Sequence, residues 1–183
     1  MKIKLLFAAF ILLLITSCQE QPQLVKVKGR YTLELPTFLS EATDLHSDAS
    51  LQYKNGLKEF YVIVLDEDKN SVNKTFEDSD LGYTSDLKGY ADLLLANMAE
   101  NSSFTTPPKL KDTTINKLRA RVTSTSGIVD NIPVYWKIAY IEGKNRYYQL
   151  MVWTLTENQE EHEAQMEKIV QSFKETDKSK KRK

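Results

Sequence analysis

A stretch near the middle of the chain carries the oxygen ligands that a calcium ion prefers. Asp66, Asp68, Asn70 and Glu77 occupy the first, third, fifth and twelfth positions of a calcium-binding loop. The sixth position is Ser71, where such a loop needs glycine for its sharp turn. The segment before Asp66 is also strand-like, whereas this kind of loop joins two helices. We therefore expect a solvated acidic loop without a metal, and calcium binding is the alternative.

The two histidines are candidates for a second kind of site. Asp44, His46 and Asp48 alternate in a polar segment, and His162 lies in a glutamate-rich stretch far along the chain. Metal ligands in one loop need partners from elsewhere, and the sequence has neither a serine elbow nor a glycine-rich phosphate loop. The alternative is a metal-dependent enzyme built from the 44–48 and 66–77 loops. We expect no catalytic residue, no metal and no cofactor.

Tyrosines are the third group of candidates, in this case for binding another protein. Tyrosine is favoured at interfaces because it offers a large contact area at low entropic cost. The hypothesis of a partner surface uses Tyr83, Tyr135, Tyr147 and Tyr148, and Tyr90 belongs to the same set. The alternative is that these rings fill the core of the protein and place their hydroxyls at its edge.

Length, charge and cysteine content limit the class of protein. The chain has 183 residues, which is enough for one domain with a sizeable core. It carries 25 basic and 25 acidic residues, so no charge imbalance points to a nucleic-acid partner. The single cysteine, Cys18, cannot form a disulfide within the chain, and the fold must therefore be held by its core.

The N-terminus has the pattern of a secretion signal. Lys2 and Lys4 precede an apolar run over residues 5–15, which is too short to span a bilayer. The sequence Ile-Thr-Ser-Cys at 15–18 then resembles the lipobox of bacterial lipoproteins: an aliphatic residue, two small residues and the cysteine. In that family the chain is cut before the cysteine, whose sulfur receives a diacylglyceryl group.

This resemblance implies an anchor as well as a location. Residues 1–17 would be the signal peptide, and residues 18–23 would be a tether joined to membrane lipid through palmitate-type acyl chains on Cys18. The residue after the cysteine is Gln19, not the aspartate that retains enterobacterial lipoproteins at the inner membrane. We therefore expect the outer membrane, with the protein facing the periplasm.

Hydrophobic periodicity predicts the elements that would position the candidate residues. Strands are predicted over 24–35, 49–53, 60–65, 117–128, 133–141 and 146–155, and helices over 72–76, 86–98 and 157–173. Asn55-Gly56 predicts a hairpin turn, and Asp86 is placed to cap a helix. Apolar residues lie on both faces of the later strands: Val134, Trp136, Ile138 and Tyr140 on one face, and Tyr135, Ala139 and Ile141 on the other.

A sheet that is buried on both faces needs helices on both faces. The pattern therefore predicts an α+β fold, with a single antiparallel sheet of about six strands between helical layers. The globular part spans 24–175. Residues 176–183 form a basic tail that either contacts anionic lipid or only aids solubility.

Several stretches resemble the PsbP-like family. They are the segment 31–36, the hairpin 49–56, the buried run 61–65, the strand 147–153 and the helix end 169–173. The family includes a photosynthetic oxygen-evolving-complex subunit, the Mog protein and many bacterial lipoproteins. The resemblance implies an α/β/α sandwich that serves as an accessory or binding module.

These observations together predict a lipid-anchored, non-catalytic envelope lipoprotein. It would bind a cell-envelope protein, and it would have no nucleic-acid partner. Two alternatives remain from the residues: the metal-dependent enzyme described above, and a carrier of a small apolar ligand. A carrier would hold its ligand between the sheet and the helices, in a cavity lined by Trp136 or Trp153.

Overall fold

The computed structural model describes residues 21–105 and 107–178. Its strands are β1 Gln23–Val27, β2 Tyr31–Leu35, β3 Ser40–Glu41, β4 Leu51–Asn55, β5 Phe60–Asp68, β6 Ser103–Phe104, β7 Lys111–Ile115, β8 Leu118–Val129, β9 Ile132–Glu142, β10 Arg146–Leu155 and β11 Lys174–Glu175. Its helices are α1 Lys69–Asp78, α2 Leu87–Asn101 and α3 Gln159–Ser172, the last preceded by a 3-10 turn over Thr156–Asn158.

Within the described residues, eight strands form one antiparallel sheet in the order β3-β4-β5-β10-β9-β8-β6, and β7 also pairs with β8. A smaller sheet has the order β1-β2-β11. The expected number of about six strands was too low, although the fold class is confirmed. The strands that were missed are short or exposed: four of the five residues of β7 are exposed, so its sequence has no apolar alternation.

The large sheet is buried on both faces, as predicted. Tyr135, Ala139 and Ile141 pack in one core with α3 residues and the small sheet. Val134, Trp136, Ile138 and Tyr140 pack in a second core with residues of α1 and α2. The two sets point to opposite faces because alternate residues of a strand do so. The molecule is therefore an α/β/α sandwich.

The segment 24–35, predicted as one strand, is a hairpin. Gly29 has a φ of +74° and allows the chain to reverse between β1 and β2. The apolar residues on either side of the turn keep the same two-residue alternation, with Val25 opposite Leu33. The apolar alternation therefore continues through the turn, so the sequence pattern alone does not indicate that the chain reverses there.

The hairpin between β4 and β5 forms where Asn55-Gly56 predicts it, but by different turn chemistry. The Asn55 side chain accepts hydrogen bonds from the backbone N–H groups of Leu57 and Lys58, each at 3.0 Å. The residue with positive φ is Glu59, at 48°, rather than Gly56. The loop is therefore longer than a two-residue turn, and it places Leu57 at its tip.

Helix α2 begins directly after Asp86, the residue that the sequence predicts as its cap. The Asp86 side chain accepts a hydrogen bond of 3.0 Å from the backbone N–H of Gly89. Among the described residues, no helix is both long enough and apolar enough to cross a bilayer.

Candidate functional site

The expectation of a solvated acidic loop over 66–77 is wrong, because these residues do not form a loop. Asp66 and Asp68 lie on β5, whereas Asn70 and Glu77 lie on α1. The Asp68 side chain caps α1 by accepting a hydrogen bond of 3.0 Å from the Ser71 N–H. In residues 21–105 and 107–178, no group of three or more His, Cys, Asp or Glu side chains is placed to hold a metal ion.

The histidines are held separately. His46 Nδ1 accepts a hydrogen bond of 3.2 Å from the Asp48 backbone N–H, and Asp44 pairs with Lys54. His162 is buried beside Phe60, and its Nε2 lies 3.3 Å from the carbonyl oxygen of residue 58. The structure thus gives each imidazole a structural contact and does not bring the two together.

The predicted tyrosine surface lies mostly in the core, which corrects that hypothesis. Tyr135, Tyr147 and Tyr148 are buried, and Tyr83 is half-buried against Phe76. Their hydroxyls reach polar groups at the edge of the core: Tyr135 donates to Glu163 at 2.7 Å and Tyr147 to the side-chain Oδ1 of Asn73 at 3.0 Å. The sheet has two buried faces, so it can hide more rings than one face could.

Burial also determines the chemistry of these phenols. It raises the pKa of Tyr147 to about 12, with a further contribution from the nearby Glu142 carboxylate. Burial likewise raises the pKa of Tyr148, and the Glu175 carboxylate adds to this effect. Both tyrosines are therefore uncharged at neutral pH and act as hydrogen-bond donors.

Protein side chains occupy the space beside both tryptophans. Trp136 meets Phe104 edge-on at 6.2 Å between ring centroids, and Trp153 stacks on Tyr61 at 5.2 Å. Open grooves of about 440 and 560 Å³ lie on the two sides of α3, and another of about 380 Å³ lies beside Phe104, but neither tryptophan lines any of the three. The ligand-carrier alternative therefore gains no support from the tryptophans.

Charged residues gather at one end of the large sheet, where β5 and β9 end and β8 and β10 begin. Asp66 is the centre of this group, and its side chain is only 1% exposed. Its Oδ1 accepts a hydrogen bond of 2.9 Å from Arg30, which lies in the turn before β2, and its Oδ2 accepts one from Nε of Arg146 on β10. One buried carboxylate thus joins the small sheet to two strands of the large sheet.

A second group lies at the same end of the large sheet but on its opposite face, because Glu142 pairs with Tyr147 of the second core whereas Asp66 pairs with Tyr148 of the first. Glu142, at the end of β9, accepts hydrogen bonds of 3.1 Å from both Lys69 of α1 and Arg119 of β8. Lys69 also donates to the Gly143 carbonyl oxygen at 3.2 Å. We call Arg30, Asp66, Lys69, Arg119, Glu142 and Arg146 together the charged end.

The turn between β9 and β10 closes this surface. The backbone N–H of Lys144 donates to both carboxylate oxygens of Glu175 on β11, at 2.9 and 3.0 Å, and the Tyr148 hydroxyl donates to Glu175 at 3.1 Å. Glycine at position 143 lets the turn pack closely: a Cβ there would lie 2.2 Å from Oε1 of Glu175 and 2.6 Å from Cε2 of the buried Tyr148 ring.

The charged end combines buried carboxylates with basic side chains that reach the surface. Asp66 and Glu142 are each paired with two basic side chains. The Arg30 and Arg119 side chains are 41% and 71% exposed, while their anionic partners are largely buried. Arginine donors held in place in this way can bind carboxylates of a partner protein with less loss of side-chain entropy.

Sequence reasoning missed this site because its members are far apart in the chain. Asp66 is 36 residues from Arg30 and 80 residues from Arg146. The only local signal was the row of acidic residues from Asp66, which we interpreted as a solvated loop. The predicted lipidation residue Cys18, the signal 1–17 and the last five residues of the tail lie outside the described residues, and their assignments stay predictions.

Comparison with known proteins identifies the fold of this chain. The sequence matches no profile of a protein family and no curated protein. Among solved structures, CyanoP, the cyanobacterial PsbP of Synechocystis sp. PCC 6803, is similar over 87% of this chain and 97% of its own, with 12% identity and a TM-score of 0.55. This chain therefore has a PsbP-like fold.

Two further solved structures resemble the chain more distantly. LpqN, involved in cell envelope biogenesis of Mycobacterium tuberculosis, is 11% identical over 88% of this chain and 87% of its own, with a TM-score of 0.49. PA94 of Pseudomonas aeruginosa is 14% identical over 83% of this chain and 95% of its own, with a TM-score of 0.45.

Proposed function

We propose that this chain is a lipid-anchored, non-catalytic accessory module of the bacterial cell envelope, which binds another envelope protein through its charged end. The anchor is supported by the lipobox-like sequence at 15–18, whose cysteine is the only one in the chain. The binding role is carried by one observation: the buried Asp66 holds Arg30 and Arg146 in place, while the Arg30 side chain remains 41% exposed.

Binding energy at protein interfaces is concentrated in a few residues, and arginine is enriched among them. At the charged end, Arg30 and Arg119 come from different sheets and are fixed by separate carboxylates. The partner surface that fits them is acidic, with carboxylates spaced to meet two guanidinium groups. Such a contact would steer association and set specificity more than it would raise affinity.

The proposal is tested by photocrosslinking in cells. A photoreactive amino acid is placed at Lys28, an exposed position in the turn that leads to Arg30, and, as a control, at Glu160, which is exposed at the start of α3. We expect one or two envelope proteins to be captured from Lys28 and not from Glu160. Capture should be lost in Cys18→Ala and weakened in Arg119→Gln.

Two results would contradict the proposal. Capture of the same proteins from both positions would show that the charged end is not selective. Capture that is unchanged in Arg119→Gln would show that the exposed guanidinium plays no part.

A further inference from the structure

The described chain enters the fold at the end of the sheet opposite the charged end. The Gln23 side chain, at the start of β1, donates to the carbonyl oxygens of Pro36 and Leu39 at 2.9 and 2.8 Å. In the same segment, the Phe38 carbonyl oxygen accepts a hydrogen bond of 2.8 Å from Asn55, the last residue of β4. Gln23 therefore lies beside the β4–β5 hairpin, and we call this end of the molecule the tether end.

Exposed apolar side chains collect at the tether end. Leu57, at the tip of the β4–β5 hairpin, is 100% exposed, and Ile132, at the start of β9, is 51% exposed. Leu24, next to Gln23, is also exposed. Strands β5 and β9 are separated only by β10, so these two strands, which lead from the hairpins of Leu57 and Ile132, run about 10 Å apart in the sheet.

The length of the tether restricts what can cover these residues. Cys18 precedes Gln23 by five residues, which can span at most about 17 Å when fully extended. An acylated Cys18 would thus hold the tether end within that distance of the lipid. The basic tail over 176–183 leaves the fold at the charged end, where the Thr176 backbone N–H donates to the Arg30 carbonyl oxygen at 2.8 Å. We therefore adopt the alternative in which that tail only aids solubility and does not bind lipid.

We infer that the β4–β5 hairpin is a second membrane contact, in which Leu57 enters the lipid surface and orients the domain with its charged end away from the bilayer. The occupant of this apolar surface is membrane lipid, and the inference rests on the proposed anchoring at Cys18. Lys58, beside Leu57, can place its ammonium among the headgroups while its stem follows the apolar surface. Glu59 turns back to the hairpin, where it accepts a hydrogen bond of 2.6 Å from Tyr61.

The test uses the full chain, produced in a host that processes lipoproteins and reconstituted in vesicles of phosphatidylethanolamine and phosphatidylglycerol. A Leu57→Cys variant carries an environment-sensitive fluorophore. The matched control is Lys117→Cys, at an exposed turn of the charged end between β7 and β8. Nitroxide-labelled lipid in the vesicles serves as the quencher, and co-flotation with the vesicles reports the anchor separately.

We expect the chain to float with the vesicles, and the fluorophore at position 57 to be quenched several-fold more than the one at position 117. If the chain floats but both positions are quenched equally or not at all, the inference is wrong while the anchor stands. Shielding of position 57 from water without quenching by lipid would identify this chain itself, in the same or a second copy, as the occupant and overturn the inference. Failure to float would overturn the anchor and the inference together.

Discussion

Asp66 shows how one residue organises a surface. Its carboxylate is almost completely buried, yet its two partners, Arg30 and Arg146, keep part of their side chains in water. A buried carboxylate is tolerated only when it is paired and hydrogen bonded. Here the pairing also fixes the direction of two basic side chains, which is what a recognition surface requires.

Replacing this carboxylate should therefore weaken the fold. We expect Asp66→Asn to lower the free energy of unfolding by about 1.5–3 kcal/mol, the usual contribution of hydrogen bonds to charged groups. The measurement is urea denaturation followed by tryptophan fluorescence. The matched control is Asp44→Asn, which removes a carboxylate from the exposed pair with Lys54 and should cause no measurable change. Equal effects of the two substitutions would contradict the role assigned to Asp66.

Gly143 is a second residue whose role is defined by its neighbours. A Cβ at this position would meet Glu175 Oε1 at 2.2 Å and Tyr148 Cε2 at 2.6 Å, whereas a Cβ at Gly56 would meet nothing within 4 Å. We expect Gly143→Ala to destabilise the fold by about 1–3 kcal/mol through overpacking, and Gly56→Ala to have little effect. Chemical denaturation of both variants checks this, and a silent Gly143→Ala would show that the turn can open at no cost.

At the scale of elements, strands and helices with a strong hydrophobic period were predictable from the sequence, whereas a turn and an edge strand were not. The alternation in β9 placed its residues on the correct faces, and Asp86 marked the start of α2. The reversal at Gly29 was missed, because the apolar alternation continues on both sides of the turn. Strand β7 was missed because an edge strand held mainly by backbone hydrogen bonds needs no apolar alternation.

The candidate site was less predictable than the fold. Arg30, Asp66 and Arg146 meet only after the small sheet packs on the large one, and no spacing rule connects them. The tyrosines were correctly recognised as numerous, but their location depends on the presence of two cores. Composition alone cannot distinguish a ring that is buried from one that binds a partner.

The cap of α2 gives a prediction at this scale. Hydrogen bonds from the Thr84 hydroxyl and the Gly89 N–H lower the pKa of Asp86, against a smaller opposing effect of burial. The folded pKa is below the unfolded value of about 3.9, so the cap stabilises the fold above that pH, and this contribution is lost as the pH falls through the folded pKa. We expect Asp86→Ala to cost about 1 kcal/mol at neutral pH.

The same substitution should cost progressively less as the solution is acidified, because the parent protein then loses the charged cap as well. Thermal unfolding measured at a series of pH values below 5 tests this, with Asp80→Ala, at an exposed position, as the control. A penalty that stays constant down to the lowest pH would contradict a cap that depends on the carboxylate charge.

At the scale of the whole molecule, the sandwich hides most of its tyrosines from water. Eight of the nine tyrosines have a raised pKa. The value is about 12 for Tyr61, Tyr135 and Tyr147. For Tyr135 and Tyr147 burial is the largest cause, whereas for Tyr61 it is the hydrogen bond to Glu59.

This arrangement predicts a response to alkali. Because the folded pKa values are raised above the unfolded value of about 10, the tyrosines stabilise the fold fully below that pH and lose this effect as the pH rises through the folded values. We expect phenolate absorbance at pH 11 to be well below that of the protein in urea, and to rise cooperatively as the fold is lost. Equal absorbance in the two conditions would contradict the burial of these rings.

The whole molecule also has a polarity, with a tether end and a charged end at opposite ends of one sheet. That polarity has a function only if Cys18 is the anchor. The most direct measurement is mass spectrometry of the protein extracted from cell membranes, with Cys18→Ala as the control. We predict a mature chain that begins at Cys18 and carries a diacylglyceryl thioether, whereas Cys18→Ala keeps its signal. A chain with a free thiol at Cys18, or one that begins after it without lipid, would contradict the account.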